Sequence, residues 1–305
     1  MTRRAIVEFL ALGAAGVAGV SSAATATSGT DNPLGSIAGV RGRLYGCAAT
    51  TFELQNAVFA TLMAREARIL VAEYEMKRAV LEPRPRSYDF AAADALLHFA
   101  TRAQMKFRGH TLVWHRANPP WLVDALPSSR AEALLTGYIA AVAGRYRGRM
   151  HSWDVINEAL APADGRGDRL RESIWLKAFG PSYIDMAFHA ARAADPHALL
   201  VYNDWGCEGA GAEHDQFRAA TLDFLERAKA RDVPIDAYGM QGHLQAFGLP
   251  VEQRKLRIFV DALKALGLKL LITEHDVDDS GGPLDTAVRD RAVADASRRF
   301  LDALL

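Results

Sequence analysis

Two glutamates stand out because each of them ends a short apolar run of the kind that forms buried strands. Glu158 closes the run HSWDVINE, directly after the amide of Asn157, and Glu274 closes the run LKLLITE. Burial in a core does not explain either glutamate, because a buried and unpaired carboxylate lowers the stability of the fold or has its pKa shifted. Glu158 could also be the first residue of a solvated turn, so its own stretch leaves a catalytic and a structural interpretation open.

Strand alternation groups further polar side chains around Glu274. In the stretch QGHL, Gln241 and His243 share one face of an extended strand, and in TEHD, Glu274 and Asp276 do the same. Two acids on one face of a strand need partners. His243, at the end of the preceding strand, is the partner that the sequence offers.

The run KFRGHTLVWH carries two histidines that do not predict a metal site. His110 and His115 lie on opposite faces of an extended strand, so one metal ion cannot bind both of them from this strand. We expect His115 to be a hydrogen-bonded core residue, and we expect no metal.

The elements that position these residues follow a regular alternation. Short apolar runs that end in polar residues are separated by longer stretches of helical period, and no composition break or linker interrupts the chain after about residue 35. A repeated order of strand, helix and strand along the chain predicts one α/β domain, in which parallel strands are connected by crossover helices. The runs are RLYGCAA, RILVAEYE, KFRGHTLVWH, MHSWDVINE, ALLVYND, IDAYGMQGHL and LKLLITEHDV.

The distribution of polar residues favours a closed barrel over a doubly wound sheet. No glycine-rich turn follows the first strand, as a dinucleotide-binding sheet would require. Polar and aromatic residues gather instead at the ends of many strands, which is typical of a (β/α)8 TIM barrel. Seven strand–helix units are recognisable and the seventh helix ends at LDALL, so we expect the eighth strand to be missing through truncation.

By this count, Glu158 and Glu274 end the fourth and seventh strands, roughly opposite each other across the barrel mouth. Glycoside hydrolysis with retention uses such a pair about 5–5.5 Å apart, with one acid and one nucleophile. Asn157 could hydrogen-bond a sugar hydroxyl. Three tryptophans beside strand ends offer flat faces for sugar rings, although each alone is more simply explained by core packing: Trp114, Trp121 and Trp205.

From about residue 44 to its last residue the chain resembles the glycoside hydrolase family ten xylanases. The order and spacing of the shared motifs agree throughout, and three of them together are highly specific: GHTLVWH, WDVINEA and ITE. The other matching stretches are EYEMK, an EP pair followed by SYDF, and then YND, VPID, QGHL and ITEHD.

The resemblance implies a fold, a reaction and a set of residue roles. The family has a (β/α)8 barrel, hydrolyses internal β-1,4 bonds of xylan with retention, and needs no cofactor. Glu158 would be the general acid/base and Glu274 the nucleophile, which His243 and Asp276 would keep ionised and oriented. The residues that would bind xylan or xylo-oligosaccharides on the non-reducing side are Glu73, Lys77, His110, Trp114, Asn157, Gln241 and His243.

Several departures from the family pattern bear on activity. Tyr74 stands where the family usually has Asn, Arg78 where it has Trp, Ala117 where it has a sugar-binding Gln, and His275 where it has Leu. The eighth strand with its Trp is absent as well. The alternatives are therefore a catalytically impaired, truncated xylan-binding protein, or a retaining glycosidase that acts on another β-1,4-glycan.

Composition and the N-terminus suggest an exported protein. Lys plus Arg and Asp plus Glu both number 36, so no charge excess indicates nucleic acid as a partner. Residues 1–26 begin with Arg3 and Arg4, continue through an apolar stretch and reach small residues, which is the layout of a twin-arginine-type signal. We expect residues 27–42 to be a linker or an N-terminal segment and residues 43–305 to be the barrel. We also expect a periplasmic or extracellular mature protein without a membrane span, and possible self-association through open barrel edges.

Overall fold

The computed structural model describes residues 32–126, 128 and 130–305, and its compact unit runs from Pro33 to Leu305. The strands are β1 Gly46–Ala49, β2 Ile69–Ala72, β3 Lys106–Trp114, β4 Ser152–Asn157, β5 Leu199–Asp204, β6 Ala237–Met240, β7 His243–Gln245, β8 Lys269–Ile272 and β9 Asp276–Asp278. Seven of them form one parallel sheet in the order β1-β2-β3-β4-β5-β6-β8, and β7 pairs with β9 in a separate parallel pair.

Helices follow the strands of the sheet and cover its outer face. The α-helices are α1 Leu34–Val40, α2 Ala57–Glu66, α3 Arg78–Leu81, α4 Ala91–Arg102, α5 Pro120–Ala125, α6 Ala131–Arg145, α7 Ile174–Phe179, α8 Ser182–Ala194, α9 Ala212–Ala230, α10 Gln253–Ala265 and α11 Thr286–Leu304. Two short 3₁₀ turns are added at Glu53–Gln55 and Pro162–Asp164. Within the described part of the chain, no helix is both long and apolar enough to cross a bilayer.

The prediction of a TIM-barrel type fold with seven strand–helix units is confirmed. Each of the seven apolar runs contributes one strand to the sheet. The last two runs are interrupted, so each of them also forms a second short strand: β7 follows β6, and β9 follows β8. In the described residues no hydrogen-bond ladder joins β1 to β8. Strands β4 and β6 are buried along their whole length, whereas β8 is only half-buried, because edge strands lack a neighbour on one side.

Helix α10 shows why the helical periods were readable from the sequence. Leu256, Phe259, Val260 and Leu263 recur at three- and four-residue steps, and all four are at most 3% exposed. This apolar stripe packs α10 on the barrel, because residues at these steps lie on one face of a helix. Burying such a side chain fully contributes about 1.5–3 kcal/mol relative to leaving it exposed.

The N-terminal boundary of the compact unit differs from the expected one. Residues 27–42 were expected to be a linker or an N-terminal segment, and within them Leu34–Val40 form helix α1, which belongs to the compact unit. The backbone N–H of Leu34 donates to the Glu66 carboxylate at 2.7 Å, and Arg68 donates to Ser36 at 2.9 Å, so α1 is attached to α2 and β2. The predicted signal segment 1–26 lies outside the described residues.

Arg78, which departs from the family pattern, is accommodated by an ion pair inside the protein. Its side chain is 3% exposed, as is that of Glu82, and the two groups are 2.8 Å apart on successive turns. The guanidinium also lies 4.2 Å from the ring centroid of Tyr138 and 5.5 Å from that of Trp175. Aromatic faces attract a desolvated cation, so the rings and the carboxylate together replace its lost hydration.

Removing the carboxylate of Glu82 should therefore destabilise the fold strongly. In the Glu82→Ala variant Arg78 is buried without its counter-charge, and we expect a loss of about 3–5 kcal/mol in the free energy of unfolding. Urea unfolding measures this loss. The matched control is Asp261→Ala, which breaks an exposed pair with Lys264 and should change the same quantity by less than about 0.5 kcal/mol. Equal effects of the two variants would contradict the prediction.

Candidate active site

Both glutamates lie at the carboxyl ends of their strands, on the same end of the barrel. Glu158 follows β4 and Glu274 follows β8, with side chains 13% and 30% exposed. Glu158 adopts a left-handed backbone conformation with φ of 56°. Its N–H donates to the carbonyl of Asn203 at 2.8 Å, and its own carbonyl accepts from Arg171 at 2.9 Å. These two bonds hold a conformation that a residue with a side chain rarely adopts.

Three side-chain amides connect the two carboxylates. Asn157 Oδ1 accepts from Asn203 at 2.8 Å and from Gln241 at 3.3 Å. Asn203 Nδ2 is also 2.8 Å from Oε1 of Glu274, and Gln241 Nε2 is 3.2 Å from Oε1 of Glu158. The ends of β4, β5, β6 and β8 are thus joined by one hydrogen-bonded network. Asn203 is fully buried and had not been assigned a role from the sequence, although it lies in the quoted YND motif.

The network requires a glycine on the next strand. A Cβ on Gly239 of β6 would lie 2.4 Å from Oδ1 of Asn203 and 3.0 Å from the methyl group of Thr273. These two side chains are themselves hydrogen-bonded, since the hydroxyl of Thr273 donates to Oδ1 of Asn203 at 2.7 Å. A side chain at this position would therefore displace Asn203 and, through it, Glu274.

Glu274 has surroundings that favour its ionised form. His243 Nε2 lies 3.4 Å from Oε2 of Glu274, and His243 Nδ1 is 2.9 Å from Asp276, as the strand alternation predicted. Burial alone raises the pKa of the Glu274 carboxyl, but the bond to His243, the charge of His110 and the bond from Asn203 together lower it below its ordinary value. The same contact with Glu274, opposed by burial and helped by Asp276, raises the pKa of His243 to about 9.

Glu158 has surroundings of another kind. His115, which the sequence suggested as a core residue, lies beside it, with Nδ1 3.8 Å from Oε2 of Glu158. Burial, followed by the charge of Arg171, lowers the pKa of His115 to about 4, so its ring is neutral at neutral pH. Its Nε2 accepts from Arg116 at 3.2 Å, which assigns the proton to Nδ1, the atom facing Glu158. A cavity of about 10 Å³ behind this pair is close to the volume that one water needs.

His110 connects the nucleophile position to a charge deep in the barrel. Its Nδ1 lies 3.0 Å from Asp154 Oδ2 and 3.9 Å from Oε1 of Glu274. Asp154 is 1% exposed and forms a further ion pair with Arg108. His110 is therefore oriented by a buried carboxylate that the sequence did not single out.

Lys77 lies in the mouth between two aromatic rings. Its Nζ is 5.5 Å from the ring centroid of Tyr74 and 5.3 Å from that of Trp114. Burial lowers the pKa of Lys77, and the charges of Glu274 and Glu73 oppose this shift. Glu73 follows β2, and the partial desolvation of its carboxyl group, followed by the charge of Glu53, raises its pKa. Tyr74 is 55% exposed, so its ring has a face open to solvent.

The three tryptophans have different surroundings. Trp205 is 47% exposed beside the mouth and stacks on Phe217 with ring centroids 6.5 Å apart. Trp114 is half-buried next to Lys77. Trp121 packs against the hydrophobic core and donates to the carbonyl of Glu82 at 3.1 Å, so core packing is the correct explanation for this residue.

Fold and site together define the class of barrel proteins with paired carboxylates at the ends of the fourth and seventh strands of the sheet, here β4 and β8. The sequence matches glycosyl hydrolase family 10 over residues 34–305, and the chain belongs to this family. The resemblance read from the motifs is thereby confirmed.

Two named relatives are similar to this chain over about three quarters of its length. The endo-1,4-beta-xylanase B of Thermotoga neapolitana is 35% identical over 226 residues, which are 73% of this chain and 61% of that protein. The beta-1,4-xylanase of Dictyoglomus thermophilum is 34% identical over 220 residues, 72% of this chain and 59% of that protein. The matched part of the chain thus spans less than two thirds of the length of these curated relatives.

Solved structures agree over most of the barrel. Xylanase 10B from Thermotoga petrophila RKU-1, in complex with xylobiose, superposes with a TM-score of 0.80 at 29% identity and covers 91% of this chain and 83% of its own. Native xylanase 10B from Thermotoga maritima has a TM-score of 0.79 at 31% identity, with coverages of 89% and 82%.

The raised pKa of His243 makes a pH-dependent contribution to stability. Its folded pKa of about 9 is above the ordinary value of 6.5, so this contribution is complete below about pH 6.5 and is lost as pH rises through about 9. The side chain is 42% exposed, so solvent screening reduces the expected effect to about 1 kcal/mol. The difference in free energy of unfolding between the wild type and His243→Gln, measured in urea from pH 6 to pH 10, should shrink by this amount. A difference that stays constant over this range would contradict the assignment.

Proposed function

We propose that this protein hydrolyses internal β-1,4-xylosidic bonds of xylan with retention, with Glu158 as general acid/base and Glu274 as nucleophile. The observation that carries this proposal is the unequal surroundings of two carboxylates in one network. Glu274 meets a cationic histidine and an amide donor, which suit an ionised nucleophile. Glu158 faces two uncharged groups, the ring of His115 and the amide of Gln241, which suits a residue that must give up a proton in one step and take one back in the next.

The reaction would follow the double-displacement scheme of retaining glycosidases. Glu274 attacks the anomeric carbon while Glu158 gives its proton to the leaving oxygen, and a covalent glycosyl–enzyme forms. Glu158, now a carboxylate, then takes a proton from water, which attacks the same carbon and releases Glu274. Carboxylates, amides and water carry every step, so the scheme needs no cofactor.

Sugar binding on the non-reducing side would use the residues that surround Lys77 and the amide network. Support comes from their common location at the mouth and from the xylobiose complex of the Thermotoga petrophila relative. Both relatives compared by sequence carry xylanase names as well. The set is Glu73, Lys77, His110, Trp114, Asn157, Gln241 and His243, while Asp276 orients His243.

We further infer that the protein is exported and that its copies can associate. Export is supported by the signal-like layout of residues 1–26, with Arg3 and Arg4 before an apolar stretch. Association is supported by the edges of β1 and β8, between which no ladder forms in the described residues. Fractionation of the producing cell tests the first inference, and sedimentation of the purified chain tests the second.

The two glutamates should respond differently to azide. Glu158→Ala should lower the rate on xylan by about 10²–10⁴-fold but still cleave aryl xylobiosides with good leaving groups, and azide should then yield a β-glycosyl azide. Glu274→Ala should lose activity on both substrates, and azide should not restore a retained product, because the covalent intermediate cannot form.

Product analysis by NMR identifies the azide and its configuration, and Glu132→Ala, on the exposed face of α6, is the control. A β-azide from the Glu274 variant instead would reverse the two roles. Parallel assays on cellulose test the alternative β-1,4-glycan. An inactive wild type that still binds xylan would establish the impaired binding protein.

Restoring the family amides should strengthen binding of the glycone. Tyr74 and Ala117 replace two hydrogen-bonding amides, and each bond is worth about 0.5–1.5 kcal/mol. We expect Tyr74→Asn with Ala117→Gln to raise kcat/KM on xylotriose and xylotetraose several-fold. Each single variant shows which amide is responsible. A decrease with Tyr74→Asn alone would mean that the Tyr74 ring itself stacks on a sugar.

A further inference from the structure

His275 follows the proposed nucleophile directly, at a position where the resemblance to the family leads one to expect leucine. Leucine has no hydrogen-bonding group, whereas both ring nitrogens of His275 have a partner. Nδ1 lies 2.9 Å from the carbonyl oxygen of Gly242, and Nε2 lies 3.2 Å from Oγ of Ser297. Because Ser297 belongs to helix α11, the half-buried ring connects this helix to the barrel mouth.

The partners of the His275 ring define its position and its tautomer. A carbonyl oxygen only accepts hydrogen bonds, so Nδ1 carries a proton and donates it to Gly242. In the neutral ring, Nε2 then accepts from the hydroxyl of Ser297. One ring face stacks on Phe300 of α11, with centroids 5.3 Å apart and planes inclined by 21°, and Phe300 is fully buried. The ring is therefore oriented from α11.

Gly242 lies between two sets of strand pairing. On one side the β6–β8 pairing is extended, because the N–H of Glu274 donates to the carbonyl of Gln241 at 2.9 Å. On the other side the β7–β9 pair begins at His243. Between them the carbonyl of Gly242 accepts from the imidazole of His275. A side chain thus supplies the hydrogen bond at the point where the chain passes from one pairing to the next.

The peptide groups of Gly242 are held from two directions. Its φ of 84° is a conformation that glycine adopts readily, and a Cβ here would lie 3.2 Å from the ring of Phe300. Its N–H donates to the buried carboxylate of Glu208 at 3.1 Å, while its carbonyl accepts from His275. Because glycine has more backbone freedom than any other residue, these two side chains restrict a segment that would otherwise move easily.

The two neighbours of Gly242 contact the two proposed catalytic carboxylates. Gln241 Nε2 lies 3.2 Å from Oε1 of Glu158, and His243 Nε2 lies 3.4 Å from Oε2 of Glu274. A rotation of the Gly242 peptide would displace both contacts together. Displacements of about 1 Å at reacting groups can lower a rate by about 10²-fold.

We propose that His275 is a positioning residue, which couples helix α11 to both catalytic carboxylates by holding the carbonyl of Gly242. The inference rests on the proposed function for the roles of Glu158 and Glu274. His275 acts through the backbone of its neighbour and not on the sugar, so its loss affects turnover more than substrate binding. The inner face of α11 is thereby part of the support of the active site.

Three substitutions of His275 test which of its bonds matters. His275→Leu removes both bonds, His275→Asn places an amide N–H near the position of Nδ1, and His275→Gln places one near that of Nε2. On an aryl xylobioside, the Leu and Gln variants should lower kcat about 10-fold with KM within about two-fold of the wild type. The Asn variant keeps the donor to Gly242 and should retain kcat within about three-fold.

The titration of His243, followed by NMR, gives a measurement that does not depend on activity. In the wild type the bond to Glu274 raises the pKa of His243 to about 9. His275→Leu should move this pKa toward the ordinary value of 6.5, because the contact with Glu274 loosens, and His275→Asn should leave it unchanged. The control His189→Leu, on the exposed face of α8, should change neither kcat nor the pKa of His243.

The outcomes separate this inference from the proposed function. Wild-type kcat in His275→Leu, or equal losses in the Asn and Gln variants, overturns the positioning role even if the wild type cleaves xylan. If the Leu variant does not fold, the comparison of the Asn and Gln variants decides in the same way. A wild type that cleaves no xylan, together with a lowered pKa of His243 in the Leu variant alone, overturns the hydrolysis and supports the positioning role.

Discussion

The site depends on one constraint, which is that the ends of four neighbouring strands must be held in register by side-chain amides. Asn157 and Asn203 are ladder partners on β4 and β5, and Gln241 follows β6 directly. Because Asn203 also binds Glu274 and Gln241 also binds Glu158, the two carboxylates are positioned by the same bonds that align the strands. Buried amides of this kind are costly when unpaired, so the network is stable only when it is complete.

On this shared scaffold, three histidines create the difference between the two carboxylates. His243 is cationic because two acids face it, whereas His115 is neutral because it is buried beside an arginine. His110 lies between Asp154 and Glu274 and joins the mouth to the barrel interior. The same residue type thus places a cation beside one carboxylate and a neutral ring beside the other, and the surroundings of each histidine decide which.

Much of the fold was readable from the sequence because it rests on local periodicity. The seven apolar runs, the stripe of α10 and the alternation that puts Glu274 and Asp276 on one face of a strand all depend on residues close together in the chain. Helix α1, the location of Trp121 against the core, and the contact of His115 with Glu158 depend on packing between distant segments, which periodicity does not describe. Arg171 and Asn203 were missed for the same reason, since each acts through a backbone or amide contact across strands.

The buried pair of Arg78 and Glu82 has a consequence for the response of the protein to heat. Hydration of charged groups becomes less favourable as temperature rises, so the cost of keeping these two ions away from water falls on warming. Hydrophobic contributions level off over the same range. A tryptophan at position 78, which the resemblance to the family leads one to expect there, would add apolar area but not this temperature dependence. The buried ion pair therefore contributes more to the free energy of unfolding at high temperature than at low temperature.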